Sequence, residues 1–277
     1  MSELIIEKEP VQSKKNMVFT SAGDNTLFHK LWTGLDANYD IYVFYYGDKP
    51  ENFEIYKKVV KYIEIRKASK FQNFHYFYTM RPEIIAQYER FFILDDDIMM
   101  FTQDINEMFK YSVKYNLAIC QPAFKECGKI SHDVTKQDNE TLIRFTNFIE
   151  VNTPLFTKVA MENLMRVYIP ELIGWGIDYL YMWANGLEKE NFYAVINAVG
   201  CINPDDNAKL ITGRGRELNL IPNVNNRAPI WHAYADKLGI PKIYTHKTYF
   251  TILKNDTYMK NLLKNVNINN INNQENL

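Results

Sequence analysis

The sequence predicts an α/β fold in which helices flank a mixed, mostly parallel sheet. In the first 120 residues, short apolar runs alternate with helix-like stretches, which is the order of strands joined by crossover helices. The run over 40–46 is apolar nearly throughout, as is typical of a strand buried on both faces. With 277 residues, of which 47% are hydrophobic and 23% charged, the chain is long enough to bury such a core.

The elements of the first half follow from apolar runs and from the turn residues that end them. Strands are predicted over 16–21, 40–46, 62–66, 90–94 and 117–121. Helices are predicted over 26–36, 52–61, 71–89 and 104–116. Asp104 is the expected N-cap of the last of these helices, because its side chain can accept a hydrogen bond from the first turn.

The second half is less regular. Residues 125–141 are polar and loop-like, and β-forming residues surround Glu150. Further elements are predicted as a helix over 157–168, a helix from 174 to 186 and a strand over 193–199. We expect a flexible lead-in over 1–15, one catalytic domain over 16–264, and a disordered tail over 265–277, where seven of thirteen residues are Asn.

Charge and cysteine content exclude several classes of protein. Lys and Arg number 32 and Asp and Glu 33, so the net charge is −1 and nothing in the bulk charge indicates nucleic-acid binding. Three cysteines form neither a disulfide framework nor a common zinc motif. The first residues have no apolar core of a secretory signal, and no apolar run reaches the roughly 18 residues of a membrane span. These features predict a soluble, cytoplasmic protein without a transmembrane segment.

The sharpest chemical feature is the run Asp95-Asp96-Asp97, which directly follows the apolar strand over 90–94. In an open parallel sheet, ligands bind at the carboxyl ends of the strands. Crowded carboxylates repel each other unless a cation or protons neutralise them, and Mg²⁺ or Mn²⁺ takes such oxygen ligands together with substrate phosphates. The pattern favours a metal-bridged nucleotide diphosphate, and a solvated turn is the alternative.

Two further acids are candidates for proton transfer. In Gly174-Trp175-Gly176-Ile177-Asp178, glycines flank an aromatic residue, and Asp178 could act as a general base on a hydroxyl group. The alternative is a tight turn in which Asp178 stabilises a helix N-terminus. Glu150 lies in a β-like segment that could line the same cleft or could be an exposed strand residue.

Several basic groups could contact a phosphate or a metal, and the spacing selects none of them. The loop from Lys67 to Lys70 could neutralise a phosphate, and the run 212–216 (Thr-Gly-Arg-Gly-Arg) could clamp a diphosphate. Any histidine could complete a metal shell, including His132 and His246.

The acidic strand end, together with the later Gly174–Asp178 segment, resembles glycosyltransferases of the GT-A fold. The stretch from about 90 to 203 also resembles a plant, bacterial and viral family catalogued as a domain of unknown function. The shared features are the Asp-rich strand end and the segments 121–123 (Gln-Pro-Ala), 131–135, 148–156 and 175–178.

The resemblance implies transfer of a sugar from a nucleotide-sugar donor, UDP- or GDP-linked, to a glycan or lipid-linked acceptor, with inversion. The implied cofactor is divalent Mn²⁺ or Mg²⁺, and a location at a membrane that carries the acceptor is compatible with it. Asp178 is the implied base, with Glu150 as its rival. The implied metal ligands are Asp95, Asp97 and Asn203, where Asn203 stands at the position at which related sequences carry His. The implied nucleotide-sugar contacts are Thr20, Ser21, Ala22, Asp24, Lys70, Asp95, Asp96, Trp175 and Gly176.

Two other functions stay open at this point. A nucleotidyltransferase or phosphotransferase could use a similar sheet, although it would favour a Gly-rich phosphate loop that 21–24 imitates poorly. A non-catalytic carbohydrate-binding protein would suit the 14% aromatic content, but it would leave the three clustered carboxylates without a purpose.

Overall fold

The structure is a computed structural model, and it describes residues 5–6, 14–204, 221–241 and 245–255. The Gly/Arg-rich run over 212–216 and the Asn-rich tail over 265–277 lie outside these residues. Within them, the order of strands and helices agrees with an α/β fold.

Ten described strands form one sheet. In chain order they are β1 (Ile5–Ile6), β2 (Asn16–Ala22), β3 (Tyr39–Tyr45), β4 (Tyr62–Ile65), β5 (Arg90–Ile93), β6 (Ile119–Phe124), β7 (Thr141–Thr146), β8 (Leu155–Thr157), β9 (Tyr193–Cys201) and β10 (Thr248–Leu253). Their order across the sheet is β1-β4-β3-β2-β5-β8-β6-β9-β7-β10. Because β1 pairs antiparallel with β4, two residues of the expected lead-in belong to the sheet.

The sheet is mixed, and the expectation that it is mostly parallel is wrong. Of nine strand pairings in the described chain, four are parallel. Strands β4, β3, β2 and β5 form a continuous parallel block, because a helical crossover separates each from the next. Between β6 and β8 the connections contain no α-helix, and the later strands therefore return mainly in antiparallel directions.

Eight described helices cover the two faces of the sheet. They are α1 (Phe28–Leu31), α2 (Pro50–Lys57), α3 (Lys70–Met80), α4 (Pro82–Ile85), α5 (Thr102–Lys114), α6 (Lys158–Met165), α7 (Ile177–Asn185) and α8 (Arg227–Leu238). Helices α1, α2 and α5 contribute buried side chains to one core, and α3, α4, α6, α7 and α8 contribute to the other. Alternation along β2 supplies both cores: Phe19 faces the second and Val18 the first.

Three helix boundaries differ from the prediction. The helix expected over 26–36 is a single turn, and the one expected over 71–89 is interrupted at Pro82, which lacks the N–H that a continuous helix needs. Helix α5 begins earlier than expected, with Phe101 at the N-cap. Asp104 lies in the first turn instead, where its carboxylate accepts a hydrogen bond from the Phe101 N–H at 3.1 Å.

Candidate active site at the carboxyl edge of the sheet

The parallel block places the ends of four strands along one edge. Strands β2, β3, β4 and β5 run in the same direction, so the residues that follow each of them meet at this carboxyl edge. Asp95, Asp96 and Asp97 follow β5, which occupies the centre of the sheet, and all three are half-buried. The strand-end position that the sequence predicts for these acids is therefore present.

The three aspartates are held by different contacts. The Asp95 N–H donates to the Asn152 carbonyl at 3.0 Å. The Asp96 carboxylate accepts from the Gly23 N–H at 3.0 Å and from the Tyr46 hydroxyl at 3.3 Å. Asp96 thus ties the turn after β2 to the end of β5, and its side chain has a positioning role within the protein.

A buried ammonium group lies among these carboxylates. Lys70, the first residue of α3, pairs with the Asp95 carboxylate at 2.8 Å. Its Nζ also donates to the Val151 carbonyl at 2.8 Å and the Asn152 carbonyl at 3.0 Å. Burial lowers the pKa of Lys70, although the charges of Asp95, Asp97 and Asp96 favour the protonated form. The Lys70 ammonium therefore supplies positive charge at the acidic strand end.

Glu150 is a buried acid that interacts with Asp95, and Asp178 is a second acid that interacts with Glu150. Glu150 is 4% exposed, and burial, followed by the charges of Asp178 and Asp95, raises its pKa to about 7. Its Oε2 atom is buried and has no hydrogen-bond partner among the described residues. A hydrogen bond with Ser131 and the charge of Lys129 act in the opposite direction. Glu150 therefore interacts electrostatically with both Asp95 and Asp178.

Asp178 lies in the first turn of α7, where the sequence predicts it. It is 8% exposed, and burial raises its pKa to about 7 although the N–H groups of Tyr179 and of Asp178 itself favour the ionised form. One carboxylate oxygen accepts from the Tyr179 N–H at 3.0 Å. An acid whose pKa is near neutrality can exchange a proton at physiological pH. The fold thus brings both predicted catalytic acids to the same region.

The residues of the turn after β2 that the sequence proposes as donor contacts make internal contacts in the structure. The Thr20 hydroxyl donates to the Leu94 carbonyl at 2.9 Å, and the Ser21 hydroxyl accepts from the Asn73 amide at 2.8 Å. Ala22 is fully buried. Asp24 instead binds the loop before α2, accepting from the Asp48 N–H at 2.9 Å and from Asn52 at 3.1 Å.

The environment of Asp24 agrees with a structural role. Burial would raise its pKa, but hydrogen bonds from the Tyr45 hydroxyl, the Asp48 N–H and the Asn52 amide outweigh burial and lower it. A carboxylate that accepts hydrogen bonds from several groups of the protein is stabilised in its ionised form by the protein itself. The geometry does not favour Asp24 as a nucleotide ligand.

Arg66 is a candidate that the sequence reasoning missed. It directly follows β4 at the carboxyl edge, donates to the Asn73 side chain, and lies over the Tyr76 ring with 4.8 Å between guanidinium carbon and ring centroid. Burial lowers its pKa. Its position one residue after an apolar strand, the same signal that singled out Asp95, could have identified it.

Asn203 and the turn before α7 occupy the remaining predicted positions. Residue 202 forms an antiparallel bridge with Met99, so Asn203 runs beside the loop that follows the aspartates. Asn203 is buried, and its carbonyl accepts from the Lys129 N–H at 2.8 Å. Trp175 and Gly176 form the turn into α7, where Gly176 is the N-cap and Trp175 is exposed.

Two of the histidines left open by the sequence pack in an aromatic cluster beside the acids. The His246 ring stacks on Phe148 with 3.9 Å between centroids and lies 4.8 Å from the His132 ring. Burial, together with the charge of His132, lowers the pKa of His246 to about 4, and burial lowers that of His132. Both rings are therefore neutral at physiological pH.

The acidic strand end fits a cation that arrives with a phosphate ligand better than a complete protein cage. Among the described residues, no group of three or more His, Cys, Asp or Glu side chains has the geometry to hold a metal ion. One oxygen of Asp95 is already paired with Lys70. Mg²⁺ commonly binds through one or two carboxylates plus substrate phosphates, so the donor set suits such a site.

Comparison with known proteins supports this assignment of fold. The model of the family described as "Protein of unknown function (DUF707)" matches residues 7–148, slightly more than half of the chain. The chain belongs to the DUF707 family. The match includes the acidic strand end and the segments 121–123 and 131–135, whereas Gly174–Asp178 lies beyond it. A search of curated protein sequences found no match.

Solved structures share the fold of this DUF707 protein. S. aureus TarS 1–349 in complex with UDP-GlcNAc aligns with a TM-score of 0.53 and 9% identity over 83% of this chain and 68% of TarS 1–349. The crystal structure titled TarS 1–349 aligns with a TM-score of 0.46 and 9% identity over 68% of this chain, which spans 59% of that structure. The predicted α/β, GT-A-like fold class is confirmed. No helix in the described ranges combines the length and apolar character needed to cross a bilayer.

Proposed function

We propose that this DUF707 protein is a glycosyltransferase that moves a sugar from a nucleotide-sugar donor to a hydroxyl acceptor, with inversion at the anomeric carbon. One observation carries the proposal: Lys70, Asp95, Glu150 and Asp178 form a continuous series of interacting charges at the carboxyl edge of the sheet. Two of these acids have a pKa of about 7. A cation for a leaving phosphate and an acid for a hydroxyl proton thus lie in one site.

The donor end of the site is the edge formed by β2, β4 and β5. The Ser21 hydroxyl accepts a hydrogen bond from Asn73 and the Arg66 side chain donates one to Asn73, which lies one turn along α3 from the buried Lys70. Arg and Lys are the side chains that neutralise diphosphates best. The fold shared with a protein crystallised with UDP-GlcNAc supports a UDP-sugar as the first donor to test, with a GDP-sugar second.

Asp97, with Asp95 and Asn203 beside it, is the proposed holder of divalent Mn²⁺ or Mg²⁺. When bound, such an ion neutralises charge on the leaving diphosphate. The rest of the chemistry belongs to the chain. Lys70 favours the ionised form of Asp95, and Asp96 keeps the turn after β2 against the strand end.

Asp178 is the proposed general base. As the acceptor oxygen bonds to the anomeric carbon, its proton passes to the Asp178 carboxylate, and the bond from the anomeric carbon to the phosphate oxygen breaks. The nucleoside diphosphate leaves with that electron pair. Asp178 is preferred over Glu150 because it begins α7 directly after the turn that leaves Trp175 exposed, and because the resemblance to GT-A enzymes implies an acid at this position as the base. Glu150 is proposed to position Asp178.

The activity test is release of nucleotide from a panel of UDP-, GDP-, CDP- and dTDP-sugars in the presence of Mn²⁺. Asp97→Asn is expected to reduce turnover by about 10²-fold or more and to weaken metal-dependent binding of the nucleotide, while the fold stays intact. Asp36→Asn is the matched control, because Asp36 is exposed before β3, at the opposite edge of the sheet. Full activity of folded Asp97→Asn would refute the metal assignment.

The base assignment predicts a pH dependence. The ionised fraction of Asp178 increases as pH rises through its pKa of about 7, so kcat/KM should rise up to that pH and then level off. Asp178→Asn should remove this limb and lower turnover by about 10²–10⁴-fold without changing donor affinity. If Glu150→Gln alone is slow, the base is Glu150, and if neither variant is slow, the inverting mechanism is wrong.

A further inference from the structure

Trp175 is the most exposed of the four tryptophans that the sequence contains, with half of its surface accessible. Trp32 and Trp231 are buried, and Trp183 is half-buried. We propose that Trp175 is the platform on which the acceptor stacks, and that the acceptor is a carbohydrate. This inference rests on the proposed glycosyltransferase function and names the class of its second substrate.

The backbone presents the Trp175 side chain rigidly. Gly174 and Gly176 have φ angles of +71° and +78°, a region that residues with a side chain rarely adopt. A Cβ atom on Gly176 would lie 2.1 Å from the Trp231 ring, so the turn is seated directly on α8. The Trp175 N–H donates to the Ile173 carbonyl at 2.8 Å. The turn is therefore held in place without the indole, which is left accessible for a ligand.

Arg227 adds a contact to the indole itself. Arg227 is the first residue of α8, and its guanidinium carbon lies 5.7 Å from the centroid of the Trp175 ring. In a cation–π contact of this kind, the guanidinium is attracted to the face of the indole ring. The turn and α8 both restrict the Trp175 side chain, so this exposed side chain loses little conformational freedom when a ligand binds to it. Arg227 is thus a positioning residue for the platform.

The location of Trp175 favours the acceptor over the nucleotide. The indole lies three residues before Asp178, the acid proposed to take the acceptor proton. Asp178 interacts with Glu150, Glu150 with Asp95, and Asp95 with Lys70, so the turn adjoins the Asp178 end of this series of charges, and the cation proposed for the donor phosphate is at the other end. This placement assigns Trp175 to the acceptor, in place of the nucleotide-sugar contact expected from the sequence.

The chemistry of the indole selects a sugar. One face of a sugar ring presents C–H groups with partial positive charge, and these pack on the negative face of an aromatic ring. A lipid tail would need a wide apolar patch. The residues on both sides of Trp175 are glycines, which have no side chain to extend such a patch. A hydroxyl of a stacked ring can extend beyond the platform toward Asp178.

Binding is tested by quenching of tryptophan fluorescence with acrylamide. The probes are chitotetraose, cellotetraose, maltotetraose and isomaltotetraose at 10 mM, with octyl alcohol and UDP as non-sugar comparisons. We expect at least one oligosaccharide to reduce acrylamide quenching in the native protein and in Trp183→Phe, and none to reduce the quenching of the remaining tryptophans in Trp175→Phe. Protection by UDP alone, or by no oligosaccharide, overturns the proposal.

Kinetics separates failure of this inference from failure of the proposed function. With the protecting oligosaccharide as acceptor, Trp175→Ala should raise the acceptor KM about tenfold. Trp175→Phe should recover part of the loss, and Arg227→Gln should raise KM with kcat retained. An unchanged acceptor KM in Trp175→Ala refutes the platform. Absence of donor hydrolysis in the native protein refutes the proposed function instead.

Discussion

At the scale of single residues, the burial of Glu150 and Asp178 gives both acids a pKa suited to proton transfer and also makes their ionised forms unfavourable for stability. Both carboxyl groups are buried, and both have a pKa raised to about 7. Ionising them in the folded protein is therefore costly, yet an ionised Asp178 is what a general base requires. In the proposed mechanism, this energetic cost falls on the residue that takes up the acceptor proton.

That cost predicts a pH-dependent stability. An unfolded carboxyl group titrates near pH 4, so between about pH 4 and 7 the folded state binds more protons than the unfolded state. The free energy of unfolding consequently falls as pH rises through this window. Asp178→Asn and Glu150→Gln remove the effect, and each should stabilise the protein at pH 8 by on the order of 1–3 kcal/mol.

The measurement is urea denaturation at pH 4.5 and pH 8. The advantage of both variants should vanish at the lower pH, where the native carboxyls are protonated in the folded state. The control Asp36→Asn should show no such dependence, because Asp36 is exposed. Equal stability of native and variant proteins at pH 8 would contradict the raised pKa values.

At the scale of elements, Lys70 joins the start of α3 to the end of β5 and to the loop before β8. The Nζ atom contacts the Asp95 carboxylate and the carbonyls of Ile93, Val151 and Asn152. These segments are distant in sequence, and the loop from 150 to 153 contains the candidate acid Glu150. The ammonium group therefore fixes the geometry of the site as well as its charge.

Lys70→Met should destabilise the protein by about 3–5 kcal/mol, because it leaves a partly buried carboxylate and three carbonyls without their common donor. Thermal unfolding measures the loss. Lys110→Met is the control, since the Lys110–Glu107 pair is exposed and should contribute little to stability. A change in Lys70→Met no larger than in the control would show that Lys70 is not structurally coupled.

The turn before α7 allows a matched pair of variants. Gly174 and Gly176 both have positive φ, so alanine at either position costs roughly 1–2 kcal/mol in backbone conformation. A Cβ atom at Gly174 meets nothing within 4 Å, whereas one at Gly176 meets the Trp231 ring. Gly176→Ala should therefore lose at least about 2 kcal/mol more than Gly174→Ala in urea denaturation, and equal losses would contradict the packing of this turn on α8.

At the scale of the whole molecule, the groups proposed for the donor and for the acceptor come from different parts of the chain. The parallel block β4-β3-β2-β5 presents Arg66, Lys70 and the aspartates, and the segments after β8 present Asp178 and Trp175. Under the proposed function, the first set would bind the donor and the second the acceptor. The central acids are the point at which the substrates would meet.

This arrangement predicts where a nucleotide protects the backbone. Saturating UDP should slow amide hydrogen exchange in 21–26, 66–70 and 95–97, and leave β7 and β10 unchanged. UDP at 100 times its Kd should also stabilise the protein by about 2.7 kcal/mol. Protection confined to β7 and β10 would place the nucleotide on the wrong side of the sheet and refute the proposed donor site.

Features set by local pattern could be predicted from the sequence. Apolar alternation identified the strands from β2 to β6, and the place of Asp95–Asp97 after an apolar run located the acidic edge. Local pattern does not predict contacts between residues that are distant in sequence. Asp24 was expected to contact a nucleotide, but its carboxylate accepts a hydrogen bond from the loop before α2. Arg66 was missed because a single basic residue after a strand has no distinctive spacing.

The sequence by itself determined the α/β class, the acidic strand end and the helix start at Asp178, because hydrophobic periodicity and turn residues act over a few neighbours. Only the tertiary structure decided that Lys70, Asp95, Glu150 and Asp178 interact, since more than 100 residues separate the first from the last. It also decided the mixed strand directions, which depend on the path of each connection. The raised pKa values follow from burial, a property that arises only when the chain packs around the carboxyl groups.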